Sequence, residues 1–185
     1  LAKEGEELVR QAYMEFVPTP MAKERPETKE TSGMMLKAAV PVMDGRGDLL
    51  GTIYGGSLLN RNYEIVDKIK DIVFKGERYK GKEAGTATIF QWDLRISTNV
   101  NDKNGLRAIG TRISKDVYDQ VLENGRAWVD RAFAVKDWYI AAYEPIRNIQ
   151  GGIIGILYVG TLEDPDMDIR NRVVYSCFGV AFLGL

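Results

Sequence analysis

The first part of the chain follows helical spacing, then strand spacing, then helical spacing again. Apolar residues at i, i+4 and i+8 predict an amphipathic helix over residues 4–16, which Pro18 ends. Apolar runs bounded by turn residues predict strands at 34–42 and 48–56. Asn60 then precedes a second amphipathic stretch, so we expect another helix to start there.

The second part of the chain predicts a complete α+β unit. Ser114 is a favourable N-cap residue for a helix that ends before Gly125. Strands are predicted at 86–93, 94–100, 127–135, 138–146 and 153–161. Two strands, a helical crossover and a three-strand meander predict a five-stranded antiparallel sheet with helices packed on one side. This arrangement is PAS-like.

A long internal repeat connects the two parts. Residues 38–59 and 142–163 align without a gap at a constant offset of 104 residues. The identical pairs are Ala38 and Ala142, Pro41 and Pro145, Gly47 and Gly151, Gly51 and Gly155, Tyr54 and Tyr158, Gly56 and Gly160, and Leu58 and Leu162. This period exceeds the roughly 20–50 residues of a solenoid unit and fits two copies of one small domain.

The repeat predicts tandem modules, of which the first is incomplete. We expect a partial first module over 1–60, a connecting helix and linker over 61–85, and a complete second module over 86–163. Residues 164–185 are predicted to be an exit segment and the start of a truncated transmembrane helix. Their final uncharged run is shorter than the roughly 20 residues of a membrane span, so a terminal core segment is the alternative.

Composition excludes several functions. The formal net charge of −1 gives no electrostatic reason to expect nucleic acid. The chain contains no histidine, which removes Ser-His-Asp catalysis and imidazole metal sites. Its single cysteine, Cys177, excludes an intrachain disulfide and a cysteine metal cluster. No paired acids flank a predicted cleft, and Asp164, Asp166 and Asp168 lack the glycine of a calcium loop because Ile169 replaces it. We therefore expect no enzyme activity, no cofactor and no metal.

Several segments together resemble the double Cache sensor family, particularly its fused tandem type. The segments are TATIFQWDLRISTNV, GLRAIGTRIS, RAFAVKDWYIAAYEPI and GGIIGILYVGTLE, with AAVPVMDGRGDLLGTIYGGSLLNRNYEIVDKI resembling the end of the membrane-distal half. The resemblance implies a periplasmic or extracellular ligand-binding domain of a bacterial or archaeal transmembrane receptor, at the cell membrane. It also implies flanking transmembrane helices, a cytoplasmic output domain such as a histidine kinase or chemoreceptor module, and allows a homodimer.

Similar domains hold small molecules, often carboxylates, between the concave sheet face and the helix over it. An anion there requires a guanidinium and hydroxyl donors. Arg131 is the best candidate, because strand alternation places it on one face with Phe133. The alternative is a surface arginine, or one paired with Asp130 or Asp137. Arg112, just before the helix, is a second candidate at the pocket mouth.

The remaining candidate ligand residues are aromatic or lie on the second strand of the complete unit. Trp138, Tyr139 and Ala142 resemble the Trp-Tyr-x-x-Ala element of amino-acid-binding Cache domains. Tyr139 and Tyr143 offer hydroxyls to a carboxylate, or their rings fill the core. Arg95 and Thr98 belong to a polar cluster that turn or surface pairing explains almost as well.

Two functions remain open at this point. The first is an extracytoplasmic sensor domain that recognises a small organic anion. The second is a ligandless structural or dimerisation module that transmits signals or orients partners. Arg131 pointing into water, over a solidly filled core, would favour the second.

Overall fold

The computed structural model describes residues 2–135 and 137–163. The helices are α1 (Ala2–Ala12), α2 (Glu64–Phe74) and α3 (Lys115–Val117), which continues as a π-helical turn (Tyr118–Glu123). The strands are β1 (Met14–Glu15), β2 (Lys29–Glu30), β3 (Met35–Met43), β4 (Leu49–Leu58), β5 (Arg78–Tyr79), β6 (Lys82–Glu83), β7 (Gly85–Gln91), β8 (Leu94–Thr98), β9 (Trp128–Ala134), β10 (Asp137–Arg147) and β11 (Ile153–Leu162).

A five-stranded antiparallel sheet forms the centre of the molecule, with strand order β8-β7-β11-β10-β9. This confirms the sheet that the sequence predicts over its second part. Strand β11, the last in the chain, lies in the middle because it pairs with β10 on one side and β7 on the other. The outer edges are β8 and β9.

The two copies of the repeat form hairpins with the same register. Met35 pairs with Leu58 in the first, and Tyr139 pairs with Leu162 in the second, each 104 residues further on. Both ladders shift register at the corresponding place, between residues 42 and 43 and between 146 and 147. The repeat therefore encodes one supersecondary unit twice.

The turns of the two hairpins also use the same chemistry. Asp44 Oδ1 accepts hydrogen bonds from the backbone N–H groups of residues 46 and 48, and Asn148 Oδ1 accepts from those of 150 and 152. Gly47 and Gly151 adopt φ of 87° and 83°, a conformation that glycine enters without a steric cost.

The two hairpins differ in their surroundings. In the described part of the chain, β3 and β4 pair only with each other and form a two-stranded ribbon. Apolar side chains along it are exposed, including Val40, Ile53 and Tyr54. The corresponding hairpin β10–β11 has a strand on each side and a buried face.

Helices cover both faces of the central sheet, so the prediction of helices on one side is wrong. Val117 and Val121, from α3 and its π-helical turn, pack with Tyr143 and Tyr158 on what we call the inner face. Helix α2 lies on the outer face, where Val66 packs with residues of β7 and β8. An amphipathic pattern shows which side of a helix is buried but not which side of a sheet buries it.

One of the two predicted helix starts is wrong, and the other is at the predicted position. Helix α2 begins at Glu64, and Asn60 is instead fully buried, where its amide contacts Met34, Ala12 and Gln91. Ser114 lies at the N-cap position of α3 but makes no side-chain capping bond. The predicted exit segment over 164–185 lies outside the described residues. Within the described residues, no helix has the length and apolarity needed to span a bilayer.

Candidate functional site

A cavity of about 740 Å³ lies beside the inner face of the sheet, beneath α3. Its size is within the roughly 300–1,000 Å³ of small-molecule sites. Apolar side chains from α3, from the residue pair before it and from β9 form much of its wall, among them Val117, Ile113, Trp128, Ala132 and Ala134. The space under the helix is therefore not solidly filled.

Arg95 lines this cavity from β8 and is the most unusual residue of the site. The residue is only 3% exposed. Its Nε and Nη1 atoms have no hydrogen-bond partner among the described residues. Its guanidinium carbon lies 5.1 Å from the centre of the Phe90 ring. Burial lowers the pKa of Arg95, and the neighbouring tyrosines Tyr143, Tyr158 and Tyr139 act in the opposite direction.

An irregularity in β8 places Arg95 on the inner face. Arg95 pairs with Phe90 and Ser97 pairs with Ile89, so Ile96 is an extra residue opposite the β7 strand. A bulge of this kind reverses the side-chain alternation beyond it. Arg95 therefore faces the cavity, whereas Ser97 faces α2 and donates a hydrogen bond to the Asn62 carbonyl.

Tyr143, Tyr158 and Tyr139 lie close enough to the Arg95 guanidinium to act on its charge. Tyr143 lines the cavity, and its ring lies 4.8 Å from that of Tyr158 and 5.6 Å from that of Trp128. Tyr158 hydrogen-bonds Thr86 at 3.1 Å. Burial raises the pKa of both Tyr143 and Tyr158, so their hydroxyls remain protonated hydrogen-bond donors at neutral pH.

Thr98 also lies on the inner face, but its hydroxyl forms hydrogen bonds within the protein. Its hydroxyl lies 2.6 Å from that of Thr88, and it accepts a hydrogen bond from the Val100 backbone. The side chain is fully buried. Thr98 is therefore already engaged within the protein.

Arg112 also lines the cavity, but its charge is already paired. Its guanidinium lies 2.6 Å from Asp93, whose side chain is fully buried. Arg25 reaches the same carboxylate at 2.9 Å. Arg112 also donates a hydrogen bond to the Lys23 carbonyl. Asp93 thus connects the turn between β7 and β8 to a distant part of the chain.

Arg131 differs most from the expected role. Its neighbours on one face are Phe133 and Trp138, and the register places this face opposite to that of Tyr139 and Tyr143. The guanidinium contacts Glu163 at 2.7 Å and lies 4.0 Å from the Trp138 ring centre. Its side chain is 49% exposed. Arg131, Phe133 and Trp138 border the cavity where it reaches the edge strand β9, away from Arg95.

A segment that we call the strap, residues 17–25, closes another side of the cavity. Val17–Met21 line it directly. The backbone N–H of Val17 donates to Gly110, and that of Lys115 donates to the Met21 carbonyl. Lys23 forms ion pairs with Asp119 and Glu123 on the π-helical turn.

Sequence reasoning missed the strap, Asp93 and Tyr158 as parts of the site. The strap reads as an exposed loop because of its prolines and charges. Tyr158 could have been singled out from the sequence, because it is one of the positions that are identical in the two copies of the repeat, where it matches Tyr54. No local pattern marks Asp93, because both of its partners are distant in sequence. Among the described residues, no group of three or more acidic or cysteine side chains is placed to hold a metal ion.

The family comparison agrees with this architecture. The model of the family described as single Cache domain 3 matches residues 57–173, more than half of the chain. The chain belongs to this family. Cache domains are extracytoplasmic sensor modules of signalling receptors, and they are generally non-enzymatic. No curated protein matches the chain.

The matched range places the cavity within the Cache domain. It includes the end of β4, the helix α2 and the whole five-stranded sheet. The strap and β3 lie upstream of the match. Arg95, Arg112 and Tyr143 are therefore residues of the Cache module, and the strap is an additional contribution from the preceding chain.

Proposed function

We propose that this domain senses a small organic anion, such as a carboxylate, which binds in the inner-face cavity and pairs with Arg95. The observation that carries the proposal is the buried guanidinium with unpartnered nitrogen atoms. Burying a charge without a partner is costly, so proteins rarely keep one without a function. An anionic ligand would supply the missing hydrogen-bond acceptors.

The surroundings of Arg95 suit such a ligand. Hydrogen bonds to charged groups contribute about 1.5–3 kcal/mol each, more than neutral ones. Tyr143 lines the same cavity and offers a protonated hydroxyl beside the guanidinium. Arg112 is held by Asp93, so Arg95 replaces Arg131 and Arg112 as our leading anion-binding residue.

We also propose that the Cache module is the second of two. The support is the matched register and turn chemistry of the hairpins β3–β4 and β10–β11. In this view residues 1–60 belong to a membrane-distal module, 61–85 connect it, and 86–163 form the membrane-proximal module. The intact receptor would be of the histidine kinase or chemoreceptor type, with membrane helices and a cytoplasmic output domain.

Ligand occupancy would be transmitted through the central strand. Tyr158 lies on β11, adjacent to Tyr143 in the cavity wall, and β11 ends at Leu162 just before the proposed exit segment. A ligand shifts an equilibrium only by its differential affinity for the two states. We therefore expect contacts with Arg95 and Tyr143 to favour one packing of β11.

One observation favours the alternative of a dimerisation module. The β3–β4 ribbon exposes Val40, Ile53 and Tyr54, and its strand edges have no partner among the described residues. Unpaired edges are templates for pairing with another chain. Sedimentation analysis across a concentration series would show whether the ribbon associates. This function is compatible with sensing, because it uses a different surface.

A ligand screen tests the sensor proposal. The purified 185-residue chain is heated with a panel of mono-, di- and tricarboxylates and amino acids, and hits are measured by calorimetry. A ligand at about 100 times its Kd stabilises the native state by about 2.7 kcal/mol. Arg95→Met should lose this stabilisation. Arg131→Met, which removes an arginine already paired with Glu163, should keep it. The proposal fails if no carboxylate stabilises the wild-type chain.

A further inference from the structure

We propose that the ligand is a monocarboxylate whose remainder is uncharged and apolar, and that it carries no α-ammonium group. This inference rests on the sensor function proposed above and specifies its ligand class. It follows from an inventory of the charges that line the cavity.

The arginines of the cavity provide for one carboxylate only. Among the described residues that line the cavity, Arg95 is the only arginine without a carboxylate partner. Arg112 is paired with Asp93, and Arg131 with Glu163. Arg25 shares the carboxylate of Asp93 and also pairs with Glu27, so the two arginines of this cluster are matched by two carboxylates. A dicarboxylate would therefore bury its second charge without an arginine to receive it.

The lysines of the cavity wall do not change this count. Lys115 forms an ion pair with Asp119 on the next helical turn. Lys103 is exposed to solvent in the loop before α3. An ammonium in water is strongly hydrated, and a pair with it contributes at most about 1 kcal/mol. Neither lysine matches the buried guanidinium as a partner for a ligand charge.

An amino acid would lack a partner for its ammonium group. The groups that act electrostatically on Arg95 are Tyr143, Tyr158 and Tyr139, and none of them is a carboxylate. The acids that line the cavity are Asp102 and Asp116. Asp116 is exposed, and Asp102 accepts hydrogen bonds from its own loop backbone. An α-ammonium next to the bound carboxylate would be desolvated without compensation.

The remaining wall favours an apolar ligand body. Ile113, Val117, Ala132 and Ala134 are buried residues of the inner core, and all four line the cavity. The two alanines keep β9 from filling the space under the helix. Each methylene placed against such a wall contributes about 0.8 kcal/mol, which gives selectivity for a carbon chain over a polar one.

Four five-carbon probes test the class directly. Pentanoate carries one carboxylate, glutarate carries two, norvaline adds an α-ammonium, and pentanamide replaces the carboxylate with a neutral amide. Calorimetry on the 185-residue chain should give pentanoate the highest affinity. We expect glutarate and norvaline to bind at least about tenfold more weakly, which corresponds to about 1.4 kcal/mol. Pentanamide should show no binding at the same concentrations.

The outcomes separate this inference from the function on which it rests. Glutarate or norvaline binding as tightly as pentanoate would overturn the ligand class and leave the sensor proposal standing. If no carboxylate binds, including the wider panel, the sensor proposal itself fails. Equal affinity for pentanoate and pentanamide would show that the carboxylate is not recognised, and it would overturn the proposed pairing with Arg95 without the need for a variant. Arg95→Lys, which keeps the charge, should weaken pentanoate binding at least tenfold and leave the four probes in the same order.

Discussion

Arg95 and Thr98 project from the same face of β8 although they are three residues apart. Arg95 pairs with Phe90 and Thr98 pairs with Thr88, and the extra residue between these two pairs changes the alternation. Thr98 is fully hydrogen-bonded within the sheet, whereas two nitrogen atoms of Arg95 are unpartnered among the described residues. The bulge therefore brings a single unsatisfied cation to the cavity.

The first prediction concerns the stability of the ligand-free protein. Arg95→Met should leave the free energy of unfolding unchanged or raise it by about 1–4 kcal/mol, because replacing a buried charge by an apolar side chain removes a desolvation cost. Urea denaturation of ligand-free protein measures this. Arg131→Met is the control, for which we expect a loss of no more than about 1 kcal/mol from a half-exposed pair. A large loss for Arg95→Met would show that its guanidinium stabilises the folded state.

The second prediction concerns the carboxylate between two arginines. Asp93→Asn should lower the free energy of unfolding by about 3–5 kcal/mol, since it leaves Arg25 and Arg112 without their buried partner. Asp119→Asn is a matched control, because Asp119 also contacts two cations, Lys23 and Lys115, but at the surface. We expect less than about 1 kcal/mol there. Equal losses in the two variants would contradict the special role of the Asp93 cluster.

The third prediction compares two equivalent glycines of the repeat, Gly51 and Gly155, which differ in how closely other residues pack against them. A Cβ at Gly155 would lie 2.1 Å from the Phe90 carbonyl oxygen and 2.7 Å from Met34, whereas a Cβ at its counterpart Gly51 meets nothing within 4 Å. Gly155→Ala should therefore cost about 1–3 kcal/mol because β7 and β11 must separate. Gly51→Ala should be neutral or stabilising by up to about 1 kcal/mol. Thermal and urea unfolding of both variants would measure the difference, and similar effects would show that the two hairpins have similar neighbours.

These contrasts show how far the sequence determines the fold. Hydrophobic alternation and turn residues located every strand of the central sheet, because these signals are local. The repeat aligns the two pairs of strands, and the structure adds that both hairpins have the same register. It gave no information on the sheet around each hairpin, since Gly51 and Gly155 have the same sequence context but different neighbours.

The candidate site was predicted only in part, for a physical reason in each case. Tyr139 and Tyr143 share a face by simple alternation, and both belong to the buried cluster on the inner face. Strict alternation would place Arg95 and Ser97 on the same face of the sheet. The bulge at Ile96 puts them on opposite faces. Arg131 was preferred because a sequence shows a charge but not its partner, and Glu163 is distant along the chain.

The fourth prediction concerns amide exchange in the two hairpins. Residues of β3–β4 should exchange faster than their counterparts 104 positions later, because the outward N–H groups of β10–β11 are paired with β9 and β7. Hydrogen–deuterium exchange with peptide resolution would compare 35–58 with 139–162. Equal protection that disappears on dilution would indicate that the ribbon pairs with a second copy of the chain. Equal protection at every concentration would contradict the ribbon as a two-stranded unit.

The fifth prediction concerns alkaline pH. Burial raises the pKa of Tyr143 and Tyr158 above the usual value of about 10. Because the folded state holds these protons more tightly than the unfolded chain, their contribution to stability is fully present below pH 10 and is lost as the pH rises through the folded-state pKa values. The free energy of unfolding should then fall by up to about 1.4 kcal/mol per pH unit for each tyrosine.

Two measurements isolate this effect from the titration of lysines in the same range. Tyrosinate absorbance should show Tyr143 and Tyr158 ionising only when the protein unfolds, and Tyr143→Phe should reduce the slope of stability against pH above pH 10. Arg95→Met should raise the pKa of both hydroxyls further, because the Arg95 guanidinium lowers them in the native protein. Ionisation of either tyrosine in the folded protein near pH 10 would contradict their burial beside the cavity, and with it the hydrogen-bond donors that the proposed ligand site requires.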